Sequence, residues 1–274
     1  MTLLPKLILL AVLLIPGQAV CQTVVEFTFP GRVEPRQRVQ VANQISGIVE
    51  SIHIEAGQRV TRGDLMYSLD DASYRIDVAN AEAAVAEARA RLALAEDVSS
   101  RQAQLQQRGV GAAASAAQSA LEVNIAKAGL AKAEAQLQSA GLALERTRVH
   151  APISGLAQRP KVAPGAFVEA KGGTVLGEIV QNDPVLVAYR VSYADRQKAL
   201  SASGQSSVAE LCKSVQLSLE LQAGDTYPET GRALFESAEL DTTTGLLTVW
   251  GEFPNPFGIL IPGMEVSVVS KISR

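Results

Sequence analysis

A glycine-marked pattern of short β-strands occurs twice in this chain, and an alanine-rich segment separates the two copies. The first copy spans residues 45–69 and the second spans residues 153–179. Each copy contains two glycine turns and then a last apolar run, which is typical of short strands in a small β-structure. A chain with this pattern is constrained to fold as a small module with a long insertion.

The spacing of the glycines makes the two copies comparable position by position. Ten residues separate Gly47 from Gly57, and ten separate Gly155 from Gly165, so the copies are related by a constant offset of 108. Because an isolated pair of strands is only marginally stable in water, we expect the two halves to complete one another into a single sandwich. Two unrelated β-hairpins are the alternative interpretation.

The segment between the copies has a different composition. From residue 72 to residue 150 it contains no proline and only one aromatic residue, Tyr74, and alanine dominates, so helix is favoured over strand. Steps of three and four residues mark two heptad seams. The seam residues are Val78, Ala81, Val85, Ala88, Leu92 and Ala95 in the first half, and Val123, Ala126, Leu130, Ala133, Leu137, Ala140 and Leu144 in the second.

A reversal of the chain is predicted between the two seams, where Arg108-Gly109-Val110-Gly111 supplies the glycines that a turn needs. A helix from residue 72 to about residue 107 would be ~54 Å long at 1.5 Å per residue, too long for a core of this size to enclose. We therefore expect an antiparallel coiled-coil hairpin that projects from the sandwich. An extended dimeric coiled coil without a hairpin is the alternative.

The amino terminus predicts export from the cytoplasm. One lysine, Lys6, precedes the apolar run 7–15, and small residues occur at Gly17 and Ala19, as in a secretory signal peptide that ends by Cys21. Nine apolar residues are too few to span a bilayer as a helix. A lipid anchor on Cys21 is the alternative, although the residues before this cysteine match a lipoprotein signal poorly. A periplasmic protein is the favoured interpretation.

Composition excludes several function classes. The whole chain has a net charge of −3 and no cluster of lysine or arginine, so nucleic-acid binding has no electrostatic support. The only histidines, His53 and His150, lie in unrelated strand-like contexts without further ligands at metal spacing. Cys212 alone would remain after cleavage behind Cys21, and a buried thiol is the expected state. We predict that the chain is not an enzyme and binds no metal.

A third module is predicted after the second copy. Strand-like runs at 185–191, 215–221, 232–240, 246–253 and 264–271 alternate with turns rich in Gly, Pro and Asp, as in a small antiparallel barrel. A short helix is predicted at 192–200. Two proline turns bracket the apolar run 257–261 and predict a tight link between the last two strands.

At this point several segments resemble a known family, the periplasmic adaptors, or membrane fusion proteins, of resistance-nodulation-division (RND) efflux pumps. The resemblance covers about residues 39–269. The matching segments are Gly47-Ile48-Val49, Gly57-Gln58-Arg59-Val60, Ala151-Pro152-Ile153-Ser154-Gly155, Leu240-Asp241-Thr242-Thr243-Thr244-Gly245, Asn255-Pro256 and Leu260-Ile261-Pro262-Gly263-Met264.

The resemblance implies an α+β, elongated, multi-domain fold. A biotinyl-lipoyl-like sandwich (37–71 and 149–181) would be split by the helical hairpin (72–148) and followed by a β-barrel (182–274), to which 23–36 could contribute. A membrane-proximal domain, common in the family, is not evident in this sequence. Such a protein would oligomerise, or pair with a second adaptor, and would join an inner-membrane RND transporter to an outer-membrane channel.

The resemblance also implies a partner-binding site at the hairpin tip. Family members carry an arginine there, a leucine four residues later and a serine seven residues beyond that leucine. Arg101 and Leu105 match, but Ala112 occupies the serine position and the nearest serine is Ser115. With Arg108, which lies closest to the turn, these residues are the candidate contacts with the outer-membrane channel.

Two other functions stay open. An adaptor of an ABC-type exporter (HlyD-like) shares the architecture. A biotin or lipoyl carrier would need a lysine at the turn joining the sandwich halves, where this chain has Leu69-Asp70-Asp71-Ala72 and then the hairpin. We therefore expect no attached cofactor. The two aspartates of this segment are expected to cap the start of the first helix.

Overall fold

The computed structural model describes residues 25–110, 112–205, 207–222 and 224–272, which form twelve strands and four helices. The strands are β1 (Val25–Ala42), β2 (Gly47–Ile52), β3 (Arg59–Val60), β4 (Leu65–Leu69), β5 (Arg148–His150), β6 (Gly155–Ala157), β7 (Phe167–Val168), β8 (Val175–Ser192), β9 (Val215–Leu221), β10 (Gly231–Glu236), β11 (Leu246–Phe253) and β12 (Glu265–Ile272). The helices are α1 (Ala72–Gln107), α2 (Ala113–Glu145), α3 (Tyr193–Ser203) and α4 (Val208–Ser214). The predicted signal peptide and Cys21 lie outside the described residues.

The chain divides into two compact units. One comprises residues 34–185 and 255–262, and the other comprises the remaining described residues. The first unit holds both copies of the glycine-marked pattern and the two long helices; we call its β-structure the sandwich. No helix in the described ranges is long and apolar enough to cross a membrane.

The two copies pair with each other reciprocally. In one pairing, Gly47 of β2 lies opposite Val168 of β7; in the other, Gly155 of β6 lies opposite Val60 of β3. Main-chain bonds repeat the same relation: Val49 donates to the carbonyl oxygen of Ala166, and 108 residues later Ala157 donates to that of Gln58, both at 2.9 Å. The prediction that the halves complete one another is confirmed by these pairings.

The sandwich core lies between strands of both copies. Met66, Tyr67, Leu176 and Ile179 are fully buried in one apolar cluster. The hydroxyl of Tyr67 donates to the carbonyl oxygen of Leu176 at 3.1 Å, so this buried phenol also joins the first half to the second. Burial raises the pKa of Tyr67, which keeps the phenol protonated and available as a donor. Burying these side chains is the main stabilising contribution to the unit.

The second unit is a barrel. Six strands are neighbours in the order β1-β12-β9-β10-β11-β8, and a further pairing between β1 and β8 closes the ring. Alternating side chains of β9, β11 and β12 point into the barrel core. Closure removes the open edges only where these strands pair around the ring, and β1 continues to Ala42 beyond its last pair with β12 at Arg32. Helices α3 and α4 come after β8, and Ser192 and Ser207 cap their first turns.

One barrel strand ends earlier than its sequence pattern indicates. The sequence predicted a strand over 232–240, but β10 ends at Glu236. Asp241 closes a turn there, because its Oδ1 accepts hydrogen bonds from the main-chain amides of Thr243 and Thr244 at 2.8 and 3.1 Å. These bonds favour the ionised carboxylate and lower its pKa. The residues before Asp241 therefore enter a turn instead of extending the strand.

The proline-bracketed link is organised by one buried side chain. Asn255 is fully buried, and its Nδ2 donates to the carbonyl oxygens of Asn182 and Leu260 at 2.9 and 2.8 Å. Its Oδ1 accepts from the amide of Leu260 at 3.1 Å. The sequence pattern predicted a tight link, but the prolines alone did not reveal that an asparagine side chain holds it.

Candidate functional site

The base of the helical hairpin is fixed by the sandwich. Helix α1 begins shortly after β4 and α2 ends just before β5, and these two strands are antiparallel neighbours. The amide of Leu69 donates to the carbonyl oxygen of Thr147 at 2.8 Å, and the hydroxyl of Tyr74 donates to that of Ser46 at 2.6 Å. Both helices therefore leave the same sheet side by side.

The two aspartates before α1 were predicted to cap this helix, but Asp71, at the N-cap position, makes no capping hydrogen bond with its side chain. The backbone of Asp71 has φ −104° and ψ 1°. This backbone is not extended, so the carboxylate is not directed at the first amides of the helix. It pairs with Arg75 at 2.8 Å instead, while Oδ1 of Asp70 accepts from the amide of Ala72 at 3.0 Å.

The two helices lie antiparallel along the predicted seams. Arg89 pairs with Glu134 at 3.3 Å, and Lys127 pairs with Glu96 at 3.8 Å; both pairs join α1 to α2. Every predicted seam residue is buried or half-buried, and most of its neighbours along the helix are exposed. Because these ion pairs are exposed, they contribute little energy, and the contact between helices rests on small apolar side chains.

The hairpin end is a tight turn. Helix α1 ends at Gln107 as predicted, Arg108 is its C-cap, and Gly109 adopts φ +77°, a conformation that glycine adopts at no steric cost. The amide of Val110 donates to the carbonyl oxygen of Leu105 at 3.2 Å. Gly111, the other predicted turn glycine, lies outside the described residues.

The structure places all four sequence-predicted site residues in the outer part of the hairpin. Arg101, Leu105 and Arg108 are spaced by four and three residues at the end of α1, so they share one face. Ser115 lies in the first turn of α2, where its amide donates to the carbonyl oxygen of Ala112 at 3.1 Å. All four are exposed. The structure thus brings Arg108 and Ser115 to the turn and leaves Arg101 about two helical turns behind it.

The two arginines differ in electrostatic environment. Arg101 pairs with Asp97 on the same helix, and both side chains are largely exposed. Within the described ranges, Arg108 has no carboxylate within 4.0 Å. An arginine without an internal partner offers its full hydrogen-bonding fork to another molecule, whereas Arg101 must first exchange Asp97. Arg108 is therefore the stronger candidate contact.

Sequence reasoning missed one exposed apolar residue. Val110 is 76 % exposed at the turn, beside Leu105, which is 41 % exposed. A valine between two glycines has no heptad position, so the seam pattern gave no reason to single it out. Its place at the turn adds a second exposed apolar side chain to that of Leu105.

The described residues contain no cluster of three or more His, Cys, Asp and Glu side chains that could hold a metal ion. His53 bonds through Nε2 to the hydroxyls of Ser51 and Ser68, and Nδ1 of His150 lies 2.8 Å from the carbonyl oxygen of Gly63. Cys212 is buried, and this burial raises the pKa of its thiol. These side chains therefore have structural partners or surroundings that account for them.

Comparison with known proteins places both units in the same group. Residues 37–180 match the family described as RND MFP, barrel-sandwich hybrid domain, and residues 184–273 match RND MFPs, beta-barrel domain. The chain is 31 % identical over 242 residues to multidrug resistance protein MdtE of Escherichia coli strain K12 and 32 % identical over 246 residues to membrane fusion protein MtrC of Neisseria gonorrhoeae. Each alignment covers 88 % of this chain.

The chain spans 62 % of the length of MdtE and 58 % of the length of MtrC. Among solved structures, MacA from Actinobacillus actinomycetemcomitans is similar, with a TM-score of 0.68 at 18 % identity. That match covers 91 % of this chain and 79 % of the MacA chain. At this level of identity the similarity shows the shared fold.

Proposed function

The chain belongs to the membrane fusion protein family of RND efflux pumps, and we propose that it is a periplasmic adaptor that joins an inner-membrane RND transporter to an outer-membrane channel. The observation that carries this proposal is the pair of adjacent family matches, which together extend from residue 37 to residue 273. The relatives named as multidrug resistance and membrane fusion proteins support it.

Each part of the chain has a role in this proposal. The sandwich is lipoyl-like and packs beside another copy or a second adaptor, the barrel contacts the transporter, and the hairpin is a coiled coil that reaches the channel. Support for the coiled coil comes from the two seams, whose residues are the less exposed ones on α1 and α2. The role is mechanical and non-enzymatic: the adaptor transmits assembly and conformational state between two membrane proteins.

The channel-binding site consists of Arg101, Leu105, Arg108 and Ser115, with Val110 as an added apolar contact. Arg108 contributes a guanidinium group without a carboxylate partner among the described residues, and Leu105 and Val110 contribute exposed apolar area next to it. Arginine is one of the residue types enriched in binding hot spots, so Arg108 is expected to contribute most of the binding energy here. Ala112 stands where the family pattern has a serine, so Ser115 takes over that polar contact from the first turn of α2.

Photo-cross-linking in cells of the source organism tests this assignment. The photoreactive residue p-benzoylphenylalanine is introduced at Leu105 or Arg108 in the full-length chain, and cross-linked products are identified by mass spectrometry. We expect an outer-membrane channel protein at both positions. Arg75 is the matched control, because it is an exposed arginine on the same helix but at the base of the hairpin.

Capture of inner-membrane proteins alone from Leu105 and Arg108 would show that the hairpin end does not meet a channel. Capture of the channel from Arg75 as strongly as from Arg108 would show that the site is not confined to the end. In a strain that lacks the native copy, Arg108→Glu should reduce export of the pump's substrates more than Arg101→Glu does, because Arg101 already has an internal partner.

A further inference from the structure

A second candidate binding site lies at the base of the hairpin, on the opposite end from the turn. A cavity of about 640 Å³ opens between the end of β1, the last turn of α2 and strand β5. We call it the edge cleft. Six consecutive residues, 39–44, form one wall, and residues 148–150 form another. All of these residues belong to the same compact unit.

The walls of the edge cleft are strand edges and not strand faces. Successive side chains of a strand point to opposite faces of a sheet, so a run of consecutive residues borders a cavity along the edge of the strand. Residues 39–42 of β1 and residues 148–150 of β5 both form such runs. The cleft therefore presents main-chain donors and acceptors together with side chains.

Both edges are open in the described structure. Strand β5 is the terminal strand of the four-stranded sheet, with β4 as its neighbour. Strand β1 has two neighbours, β12 and β8, and its pairing with β12 ends at Arg32. The residues of β1 after Arg32 therefore have a paired strand on one side at most. An open edge is a template for a further strand, and proteins usually protect such edges when they serve no purpose.

The charges at the cleft favour an acidic partner. Arg146 and Arg148 are exposed, and in the described part of the chain neither has a carboxylate within 4.0 Å. Glu145 is the one acidic side chain in the lining, so the two guanidinium groups outnumber it. Asn43 lines the same cleft and is 4 % exposed; its Nδ2 donates to the carbonyl oxygen of Ile45, and its Oδ1 has no donor among the described residues.

We propose that the edge cleft binds an extended, acidic peptide segment of a partner protein by strand addition. The segment pairs its main chain with the open edge of β1, and its carboxylates meet Arg146 and Arg148. Main-chain hydrogen bonds supply affinity in this mode of recognition, and side-chain contacts supply specificity. A volume of about 640 Å³ is in the range of sites for compact ligands and admits a segment of only a few residues. This site goes beyond the proposed adaptor function, because it is separate from the hairpin end.

A fluorescent five-residue peptide of alternating Glu and Val, blocked at both ends, serves as the probe. Its binding to the full mature chain is measured by fluorescence anisotropy. We expect saturable binding that the double substitution Arg146→Ala, Arg148→Ala weakens at least tenfold. The control is Arg159→Ala, which removes an exposed arginine of the same unit outside the cleft and should change the affinity less than twofold.

A second probe separates strand addition from charge attraction. The same peptide with alternate amides N-methylated keeps its carboxylates but cannot form the main-chain ladder, and we expect it to bind at least tenfold more weakly. Circular dichroism of the double variant establishes that it is folded. Raising the salt concentration should weaken the unmodified peptide, because exposed charges are screened.

Three results would overturn the proposal. Equal binding of the N-methylated peptide would mean that no strand is added. If citrate displaced the peptide at the same concentration of carboxylate groups, the edge cleft would be a site for small anions and not for a peptide strand. If the peptide bound monomers of the chain but not cross-linked dimers, a second copy of the chain would be the partner that occupies the edge cleft.

Discussion

The two halves of the sandwich are alike in sequence and in pairing, but the chain continues differently after each of them. In the first half the chain leaves the sheet after Leu69 and enters α1. In the second half β8 continues past Ile179 to Ser192. The surroundings of the two halves therefore differ, because a helix follows the first half whereas β8 continues past the second and pairs beside β6.

The difference is visible at the equivalent glycines. A Cβ added to Gly155 would lie 2.6 Å from the carbonyl oxygen of Val180, in the part of β8 that continues the sheet. A Cβ added to Gly47 would meet only Leu69, at 3.6 Å, which is an ordinary van der Waals contact. Residues related by a repeat can therefore pair equivalently with the other copy and still tolerate different side chains, because the neighbouring strand on their other side differs: β8 pairs with β6 directly beside Gly155.

The largest effect is expected when these two glycines are compared directly. We expect Gly155→Ala to reduce the free energy of unfolding of the sandwich by about 3 kcal/mol, because its new methyl group meets main chain that cannot rotate away. Gly47→Ala should change this free energy by less than about 0.5 kcal/mol. Native-state hydrogen exchange of the amides of β2 and β6 measures both.

Equal losses for the two variants would show that the halves are packed alike and that the continuation of β8 has no influence. A loss at Gly47 alone would reverse the comparison. Gly155→Ser serves as a second probe at the same position and should be at least as destabilising, since its Cβ meets the same carbonyl oxygen.

The turns of the two halves should respond equally. Gly57 has φ +82° and Gly165 has φ +87°, and an added Cβ would meet nothing within 4 Å at either position. The cost of substitution is then only that of a left-handed backbone, about 1–2 kcal/mol for a residue with a side chain. Gly57→Ala and Gly165→Ala should therefore match each other within error in the same exchange experiment. Unequal losses would show that the asymmetry extends to the turns.

Features with a long period could be predicted from the sequence. The glycine offset of 108 identified the two halves, and steps of three and four residues identified the seams, while Gly109 and Gly111 indicated where α1 ends. Both signals extend over many residues, so chance matches are rare. The pairing of β7 with β2 and of β3 with β6 has no such signal, since β3 and β7 have only two residues each and therefore no period.

The candidate site was predictable only in part, for a related reason. The resemblance supplied Arg101 and Leu105, but the ion pair of Arg101 with Asp97 depends on side-chain rotamers that the spacing allows without requiring. The open edges of β1 and β5 are a property of sheet order, which arises from contacts between distant parts of the chain. Asn255 likewise acts through partners 72 and 73 residues away.

The smallest effect on the sandwich is expected when the insertion itself is shortened. Removing residues 86–92 and 131–137 deletes one heptad from each helix and takes Arg89 and Glu134 out together, so the remaining seams stay in register. The deleted segment begins ~21 Å along α1 from the sandwich at 1.5 Å per residue, beyond the range at which sites usually couple. We therefore expect the exchange protection of β2 and β6 to change by less than about 0.5 kcal/mol. Cross-linking from Arg108 to a channel should be lost, because the hairpin is ~10 Å shorter.

Deleting residues 86–92 alone is the matched control. This deletion displaces every seam contact beyond it and should lower the helix content measured by circular dichroism. Loss of sandwich protection in the paired deletion would mean that the stability of the sandwich depends on the outer hairpin, contrary to this expectation.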